Sequence, residues 1–286
     1  MITVQNSSIR WMAQIFTFYM LLTSSVHLAA EPNEAVNLVD LMWAQYRQPI
    51  TEREEFDILI IPSPKNYYSP DDARMLIKAL PQGITHKRMV RNVLYADNGH
   101  DKIHVKFSKP KEDAGTSMLI WRHPMDGKDR QWLYVPVLGK VRRIPLSIIQ
   151  GFAGTGLSYE DMRHLVGEKT ARSRYELLAD QACSGRTCRV VLTRPKGVSA
   201  YSSRKIWIDS EKNYLSKIEY FDKAGVLWKT LRAIDMYEAS EGVFRAQMLE
   251  MHDLQLNEST LLLASKRRLG EKAPGTIFTL DYFESS

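Results

Sequence analysis

The sequence predicts a mainly β protein with one large antiparallel sheet of about eleven strands, and three observations lead to this expectation. Short runs rich in β-branched and aromatic residues recur at hairpin spacing from Thr85 to the end of the chain. Turn signals such as Asn98-Gly99, Asp126-Gly127 and Glu241-Gly242 separate these runs. Few helical patterns lie between them, which excludes a parallel α/β sheet. A sheet of this size is expected to curl or to close.

The alternation of apolar and polar residues supports the strand assignment. In the segment 205–209, Ile206 and Ile208 share one face while the charged residues share the other, and Ile218 and Tyr220 alternate in the same way. One face of the sheet is therefore expected to be apolar and the other wet. Strands are predicted at Lys87–Asp97, Lys102–Ser108, Ser117–His123, Gln131–Pro136, Lys140–Ile144, Arg174–Ala182, Cys188–Arg194, Lys205–Asp209, Tyr214–Asp222, Val226–Tyr237, Val243–His252 and Thr260–Arg267.

Two helices are predicted ahead of these strands. Asn33–Gln48 places apolar residues on one face at spacings of three and four, and Pro49 ends it. Such an amphipathic helix must lie on an apolar surface. A shorter helix is predicted at Asp71–Leu80. The arrangement of the rest of 51–84 is left open, although Phe56–Ile61 is a short apolar run.

The N-terminus is typical of a secretory signal peptide. Arg10 is the only charged residue before Glu31, an apolar run follows it, and small residues end the segment at Ala30. We expect residues 1–30 to be removed and 31–286 to form a single exported domain. The alternative is a membrane anchor, for which the apolar run is short.

Charge and cysteine content narrow the function further. The net charge of +6 becomes about +5 without Arg10. In an exported protein, this modest excess fits contact with anionic lipid head groups or an acidic partner better than contact with nucleic acid. Cys183 and Cys188 are expected to form a disulfide across a tight turn, because two thiols alone do not make a metal site.

No catalytic group of residues stands out, so the protein is expected not to be an enzyme and to need no cofactor or metal. His100 and His104 follow a hairpin turn and are interpreted as exposed turn residues. Gly151–Gly156 lacks the Lys-Ser/Thr pair of a phosphate-binding loop and is interpreted as a mobile gate at the rim of the sheet. Glu160 and Asp161, taken as extended, point apart and do not suit acid–base catalysis. A hydrolase is therefore the weakest hypothesis.

A short basic cluster is formed by Lys140, Arg142 and Arg143. One interpretation is contact with a lipid phosphate or an acidic partner, since arginine recognises both groups through its planar fork. The alternative is a solvated strand edge that charge protects from aggregation.

Eight residues are candidates for the wall of a hydrophobic cavity. The alternative for each is ordinary core packing, because aromatic residues dominate cores in any case. The candidates are Trp121, Trp132, Tyr134, Phe152, Ile206, Ile208, Ile218 and Tyr220.

A set of motifs, taken in order, resembles the outer-membrane lipoprotein-sorting protein group of the LolA/LolB-like superfamily. The resemblance covers the chain from about Thr85 onward. The motifs are Phe107-Ser-Lys-Pro110, Gly115-Thr-Ser-Met-Leu-Ile-Trp121, Gln131-Trp-Leu-Tyr-Val-Pro136, Lys140-Val-Arg-Arg-Ile144, Gly151-Phe152, Gly154, Tyr159-Glu-Asp161, Lys205-Ile-Trp-Ile-Asp209, Lys217-Ile-Glu-Tyr-Phe-Asp222 and Gly225-Val-Leu-Trp-Lys-Thr230.

The resemblance implies a half-open antiparallel β-barrel with helices packed in its mouth as a lid. It also implies a non-enzymatic periplasmic carrier or chaperone, which binds lipid or lipoprotein acyl chains in the barrel and touches the membrane surface transiently. The alternative is an envelope sensor or interaction module of the same fold that regulates a membrane-protein partner. Two departures bear on the rim and the ligand: Gly154-Thr-Gly-Leu-Ser-Tyr-Glu-Asp161 stands where the family has Gly-Ser-x-Phe-x-Tyr-Glu-Asp, and Thr51–Leu80 is longer than the family's first strands.

Overall fold

The computed structural model describes residues 32–123, 128–148, 150–271 and 274–284. The predicted signal peptide at 1–30 and the predicted Asp126-Gly127 turn lie outside these residues. Among the helices described, none has the length and apolar character needed to cross a membrane.

Thirteen antiparallel strands in the described residues form one sheet. All twelve predicted strands are present, with ends within three residues of the predicted ones. The thirteenth strand, β1, is not predicted from the sequence, because it begins with charged residues. The strands are β1 (Thr51–Pro62), β2 (Thr85–Leu94), β3 (Lys102–Lys109), β4 (Ser117–Trp121), β5 (Arg130–Val135), β6 (Lys140–Arg143), β7 (Ser173–Cys183), β8 (Arg186–Pro195), β9 (Ser203–Asp209), β10 (Leu215–Phe221), β11 (Leu227–Ser240), β12 (Val243–Asp253) and β13 (Glu258–Leu269).

The sheet consists of two meanders joined at their ends. One runs from β1 to β6 and the other from β7 to β13, and the pairing of β1 with β13 unites them. The two outermost strands, β6 and β7, are consecutive in the sequence and are not paired with each other. The sheet is therefore a half-open barrel, as expected, and the segment 144–172 connects its two free edges. We call this segment the linker.

Four α-helices accompany the sheet within the described residues. They are α1 (Pro32–Arg47), α2 (Pro70–Lys78), α3 (Tyr159–His164) and α4 (Leu280–Glu284). Both predicted helices are present, as α1 and α2. Ser69 caps α2 by accepting a hydrogen bond from the Asp72 backbone N–H, and Pro70 occupies the first turn.

The two faces of the sheet are distinguished by the alternation in β1. Phe56, Ile58 and Ile60 belong to the main core together with α1, and they define the inner face. Leu59 and Ile61 point the other way and pack with α2 on the outer face. The prediction of one wet face is therefore only partly correct, because helices cover part of the outer face as well.

The predicted disulfide is confirmed. Cys183 and Cys188 are bonded across the turn between β7 and β8. Ser184 and Gly185 make this turn with positive φ angles of 47° and 78°, which suits a tight hairpin.

His104 is buried rather than exposed, which corrects the interpretation of the 100–104 segment. It lies on the outer face of β3, and its ring centroid is 6.1 Å from that of Phe283 in α4. Burial, with a smaller contribution from Lys106, lowers the pKa of His104 to about 4. His100, in the turn, is exposed as expected.

We predict that acid loosens the packing of α4 through His104. Below the ordinary histidine pKa of 6.5, the unfolded chain takes up a proton that the folded chain resists until about pH 4. This contribution to the free energy of unfolding is present above pH 6.5 and is lost as the pH falls to 4, by about 3 kcal/mol.

The measurement is urea unfolding across this pH range for the wild type, His104→Gln and His100→Gln. The His104 variant should lose this part of the pH dependence, while the variant of the exposed His100 should keep it. An unchanged slope in His104→Gln would contradict the assignment.

Candidate functional site

The inner face of β1 changes in character along the strand, and this change organises the site. Glu52 and Glu54 occupy its start, and Phe56, Ile58 and Ile60 follow on the same face. The carboxylates meet arginines from distant strands, while the apolar residues meet α1. The barrel interior therefore has an ionic end and an apolar region.

Helix α1 covers the apolar region. Its buried side chains are Ala35, Leu38, Val39, Met42 and Trp43. Polar contacts hold its C-terminal end to both halves of the sheet: the Arg47 guanidinium lies 2.5 Å from the Asp101 carboxylate, and Gln45 Nε2 donates to the Asn213 carbonyl at 2.7 Å. Asp40 also accepts a hydrogen bond from Thr170 Oγ1 at 3.0 Å, which ties α1 to the linker. The helix therefore occupies the position of the predicted lid.

The cavity beneath α1 is small. Its volume is about 30 Å³, space for about one or two water molecules, so no acyl chain fits in this conformation. Its apolar lining comes from α1, the linker and several strands, and includes Trp43, Tyr46, Phe56, Leu165, Leu215, Ile218, Tyr220, Leu231 and Leu249. A ligand of any size would enter only if α1 moved away from the sheet.

An ionic network lies at one side of this cavity. Arg245 donates two hydrogen bonds of 3.0 and 2.9 Å to the Glu52 carboxylate. Arg267 Nε donates to Glu54 Oε1 at 2.7 Å. Arg91 also pairs with Glu54. All five side chains are buried, so the ions depend on each other for stability.

The pKa values of the two glutamates shift in opposite directions in this environment. Burial raises the pKa of Glu52, with a further rise from neighbouring Glu54, and Arg245 opposes it. Burial also acts to raise the pKa of Glu54, but Arg91 and Arg267 outweigh it and lower that pKa to about 2. Glu54 is thus the firmly ionised member of the pair.

The linker fills the barrel mouth. Phe152 is 1 % exposed and its ring packs on Phe107 and Tyr159, with centroids 5.4 Å away in each case. The Gly156 N–H donates to Thr260 Oγ1 at 2.9 Å. The prediction that 151–156 is a mobile gate at the rim is therefore wrong: the segment is held by a core aromatic residue and by a hydrogen bond to β13.

Helix α3 ends this buried stretch and corrects the extended conformation expected for 159–161. Ser158 and Asp161 form a capping box that starts the helix, a signal present in the sequence as Ser-x-x-Asp. Asp161 also accepts a hydrogen bond from the Tyr201 hydroxyl at 2.7 Å, and Glu160 accepts one from Ser199 Oγ at 2.6 Å. Both acids therefore anchor the linker to the β8–β9 loop.

The structure separates the predicted cavity residues into two groups. Phe152, Ile206, Ile208, Ile218 and Tyr220 lie in the main core on the inner face, and the last two line the small cavity. The second group, Trp121, Trp132 and Tyr134, lies in a cluster with Phe283 and Leu280 of α4.

This second group therefore does not line the interior, which corrects its assignment. Its side chains alternate to the outer face, because Met118 and Ile120 take the inner positions of β4. Trp121, Trp132 and Tyr134 therefore face the opposite side of the sheet from the one predicted.

The predicted basic cluster lies on the edge strand β6, where Lys140, Arg142 and Arg143 are exposed. None of the three makes an ion pair with another described residue. Arg143 also lines a second, much larger cavity of about 880 Å³, bounded by the linker and by the loop that follows β8. The buried arginines of this cavity are not predicted from the sequence, because they lie in separate segments; they are Arg122, Arg163 and Arg204.

No group of three or more His, Cys, Asp or Glu side chains in the described part of the chain could hold a metal ion.

Comparison with known proteins establishes the family. A family model described as that of an uncharacterized protein matches residues 99–285, well over half of the chain. The chain belongs to this family. The matched part runs from the turn before β3 to α4, so that α1 and β1 lie outside it. A search of curated proteins found no match.

Solved structures confirm the resemblance to the lipoprotein-sorting group of the LolA/LolB-like superfamily at the level of the fold. A protein domain from Vibrio parahaemolyticus named for outer membrane lipoprotein sorting is 23% identical with a TM-score of 0.77, covering 89% of this chain and 100% of that one. A DUF1329 family protein from Desulfovibrio piger is 18% identical with a TM-score of 0.75, covering 88% and 98%. A LolA superfamily protein from Nitrosomonas europaea is 18% identical with a TM-score of 0.62, covering 87% and 98%.

We predict that the ionic network is essential to the barrel. Replacing Glu54 with Gln leaves buried guanidinium groups without their counter-charge, which should lower the free energy of unfolding by about 3–5 kcal/mol. Urea unfolding at pH 7 measures the change. The matched control is Glu55→Gln, a half-exposed neighbour on the same strand, for which a change within about 1 kcal/mol is expected. Equal losses in the two variants would contradict the role of Glu54.

Proposed function

We propose that the protein is a non-enzymatic carrier or chaperone of the periplasm that receives acyl chains of a lipid or lipoprotein between the sheet and α1. In this proposal residues 1–30 are its cleavable signal peptide, and it contacts the membrane surface transiently while loading and unloading. The observation that carries the proposal is an open barrel whose apolar interior is covered by the amphipathic helix α1 and by the linker.

The physical basis of binding is the exchange of one apolar partner for another. The inner face now buries Leu38, Val39, Met42 and Trp43 of α1. When α1 moves out, an acyl chain replaces these side chains against the same wall, and burial of each chain contributes about 25 cal/mol per Å². No bond is made or broken, which fits a site without a catalytic group.

The position of α1 in the chain suits such a movement. It connects to β1 through a short turn that includes Ile50, whose φ is 62°. Opening breaks polar contacts, among them the Asp40–Thr170 hydrogen bond and the exposed Glu34–Arg189 ion pair, and it uncovers the apolar side chains that α1 now buries. Opening therefore requires no change within the sheet.

We predict that locking α1 to the linker blocks loading. In the double variant Asp40→Cys/Thr170→Cys, an engineered disulfide replaces the 3.0 Å hydrogen bond between these side chains. Uptake of a fluorescent fatty acid by delipidated protein should be at least about tenfold slower in the oxidised form than in the reduced form. The unmodified protein and the reduced variant should behave alike.

The matched control is Asp40→Ser/Thr170→Ser under the same oxidising and reducing conditions, since reductant also reaches the Cys183–Cys188 disulfide. Equal uptake by the locked and unlocked forms would show that chains do not enter beneath α1. The carrier proposal itself fails if no form takes up the probe and native mass spectrometry of protein purified from cells detects no bound lipid.

A second candidate function is an envelope interaction module that regulates a membrane-protein partner. The observation that favours it is the exposed row Lys140, Arg142 and Arg143 on the free edge strand β6. An edge strand offers unpaired backbone groups, and the cations add a preference for an acidic partner.

For this candidate function we predict that charge reversal on the edge strand β6 abolishes the binding of a partner protein. Arg142→Glu/Arg143→Glu should lose a protein that the wild type captures from solubilised envelopes. Arg174→Glu/Arg194→Glu, which reverses two exposed arginines near the opposite edge, is the control and should retain it. A partner set unchanged by the β6 variant counts against the interaction module.

A further inference from the structure

The large cavity beside the linker is strongly cationic. It has a volume of about 880 Å³ and lies where the linker passes the β8–β9 loop and the end of β6. Eight basic side chains and three carboxylates line it. The basic residues are Arg122, Lys128, Arg143, Arg163, Lys169, Arg172, Lys196 and Arg204.

The three carboxylates already have partners. Glu160 accepts hydrogen bonds from Ser199 and the Ala200 N–H, Glu168 pairs with Arg204 at 2.5 Å, and Asp129 pairs with Arg172 at 2.8 Å. Asp129 and Glu168 are each paired with one arginine, whereas Glu160 has neutral hydrogen-bond partners and its charge partly offsets that of Arg163. With eight basic side chains against three carboxylates, the wall keeps an excess of positive charge.

Two arginines of this wall are buried without a carboxylate partner in the described part of the chain. Arg163 is 6 % exposed and donates to the neutral amide oxygen of Gln131 at 2.8 Å. Arg122 is 3 % exposed and donates to the Gly167 carbonyl, while its Nε has no hydrogen-bond partner among the described residues. Burial lowers the pKa of both guanidinium groups, in keeping with incomplete compensation of their charge.

The cavity therefore offers what an oxyanion requires: buried guanidinium donors and an excess of positive charge. Arginine binds phosphate through its planar fork, and such charge-assisted hydrogen bonds are the strong ones. Exposed Lys128 and Arg143 add further cations, which favours a phosphate over a singly charged carboxylate. The volume also leaves room for a group attached to the phosphate.

The small cavity beneath α1 and the cationic cavity share one lining residue. His164 of α3 lines both the small apolar cavity under α1 and the large cationic one. Its Nδ1 lies 3.3 Å from Arg204 Nη1, and burial keeps the pKa of the imidazole well below 6.5, so the histidine is neutral at pH 7. His164 therefore lies between the apolar cavity and the cationic cavity without adding charge to either.

We propose that the cationic cavity binds a phosphate group. The source that fits the adjoining apolar interior is the head group of an anionic amphiphile, whose chain would extend past His164 toward α1; this assignment of the source rests on the carrier function proposed above. Free phosphate is the other source of the same chemistry.

The test is isothermal titration of the delipidated protein with four probes. They are dihexanoyl phosphatidic acid, dihexanoyl phosphatidylglycerol, dihexanoyl phosphatidylcholine and inorganic phosphate, with the lipids kept below their micelle concentrations. Both anionic lipids should bind at least about tenfold more tightly than the zwitterionic choline lipid, and their affinities should fall as salt is raised.

Matched variants locate the site. Arg143→Gln and Arg163→Gln should each weaken the anionic lipids about tenfold, the loss expected for one charge-assisted contact. Arg142→Gln is the control, because Arg142 is exposed on the same strand and does not line the cavity. Thermal unfolding of each variant separates lost binding from lost folding, and Arg143, being exposed, can be replaced without burying an unpaired group.

The outcomes separate this proposal from the carrier function. Binding of inorganic phosphate that depends on Arg143 and Arg163, with no added affinity for any lipid, supports the phosphate site and contradicts the carrier. Equal binding of anionic and choline lipids, unaffected by these two substitutions, overturns the phosphate site and leaves the carrier standing. No binding by any probe contradicts both.

Discussion

The pairing of the first strand with the last is the constraint on which the rest of the structure depends. β1 lies between β2 and β13, so it joins two meanders into one sheet. This arrangement leaves the chain's middle strands, β6 and β7, as the two free edges. The linker that connects them must then cross the open side of the barrel, and its aromatic and small residues pack inside. The buried position of Phe152 and of α3 follows from that connectivity.

Two compartments of opposite character result from this crossing. Beneath α1 the walls are apolar, apart from the network in which Glu52 and Glu54 are held by arginines. Beside the linker, the wall is cationic, and the hydrogen bonds of buried Arg122 and Arg163 to other described residues go to neutral acceptors. The first compartment is closed by packing and the second is open. Their common border at His164 means that a movement of α3 would alter both.

Much of the fold could be predicted from the sequence because the strands are local patterns. Twelve strands, the helices α1 and α2 and the disulfide all follow from alternation, periodicity or turn residues. β1 escaped detection because its start, Thr-Glu-Arg-Glu-Glu, places Glu52 and Glu54 on the inner face, and their arginine partners come from β2, β12 and β13. Only the assembled sheet brings these charges together.

The candidate site was predicted less well, for two physical reasons. Alternation tells which residues share a face but not which face is inner, so Trp121, Trp132 and Tyr134 were placed on the wrong one. The cationic cavity draws its residues from the β4–β5 connection, β6, the linker, the β8–β9 loop and β9, and no local motif unites them. The Ser158–Asp161 capping box was the one local signal that could have placed α3 correctly.

The pairing of β1 with β13 also affects how the chain can assemble in time. Phe56 is opposite Ala264, so more than two hundred residues separate partners at the centre of the sheet. Hairpins within each meander need only short loops to close and can form early, but this contact requires the whole chain to be present. Until then the apolar face of α1 and the inner side of β1 have no complete surface to bury against. The apolar face of α1 therefore lacks its complete partner surface until β13 has been synthesised.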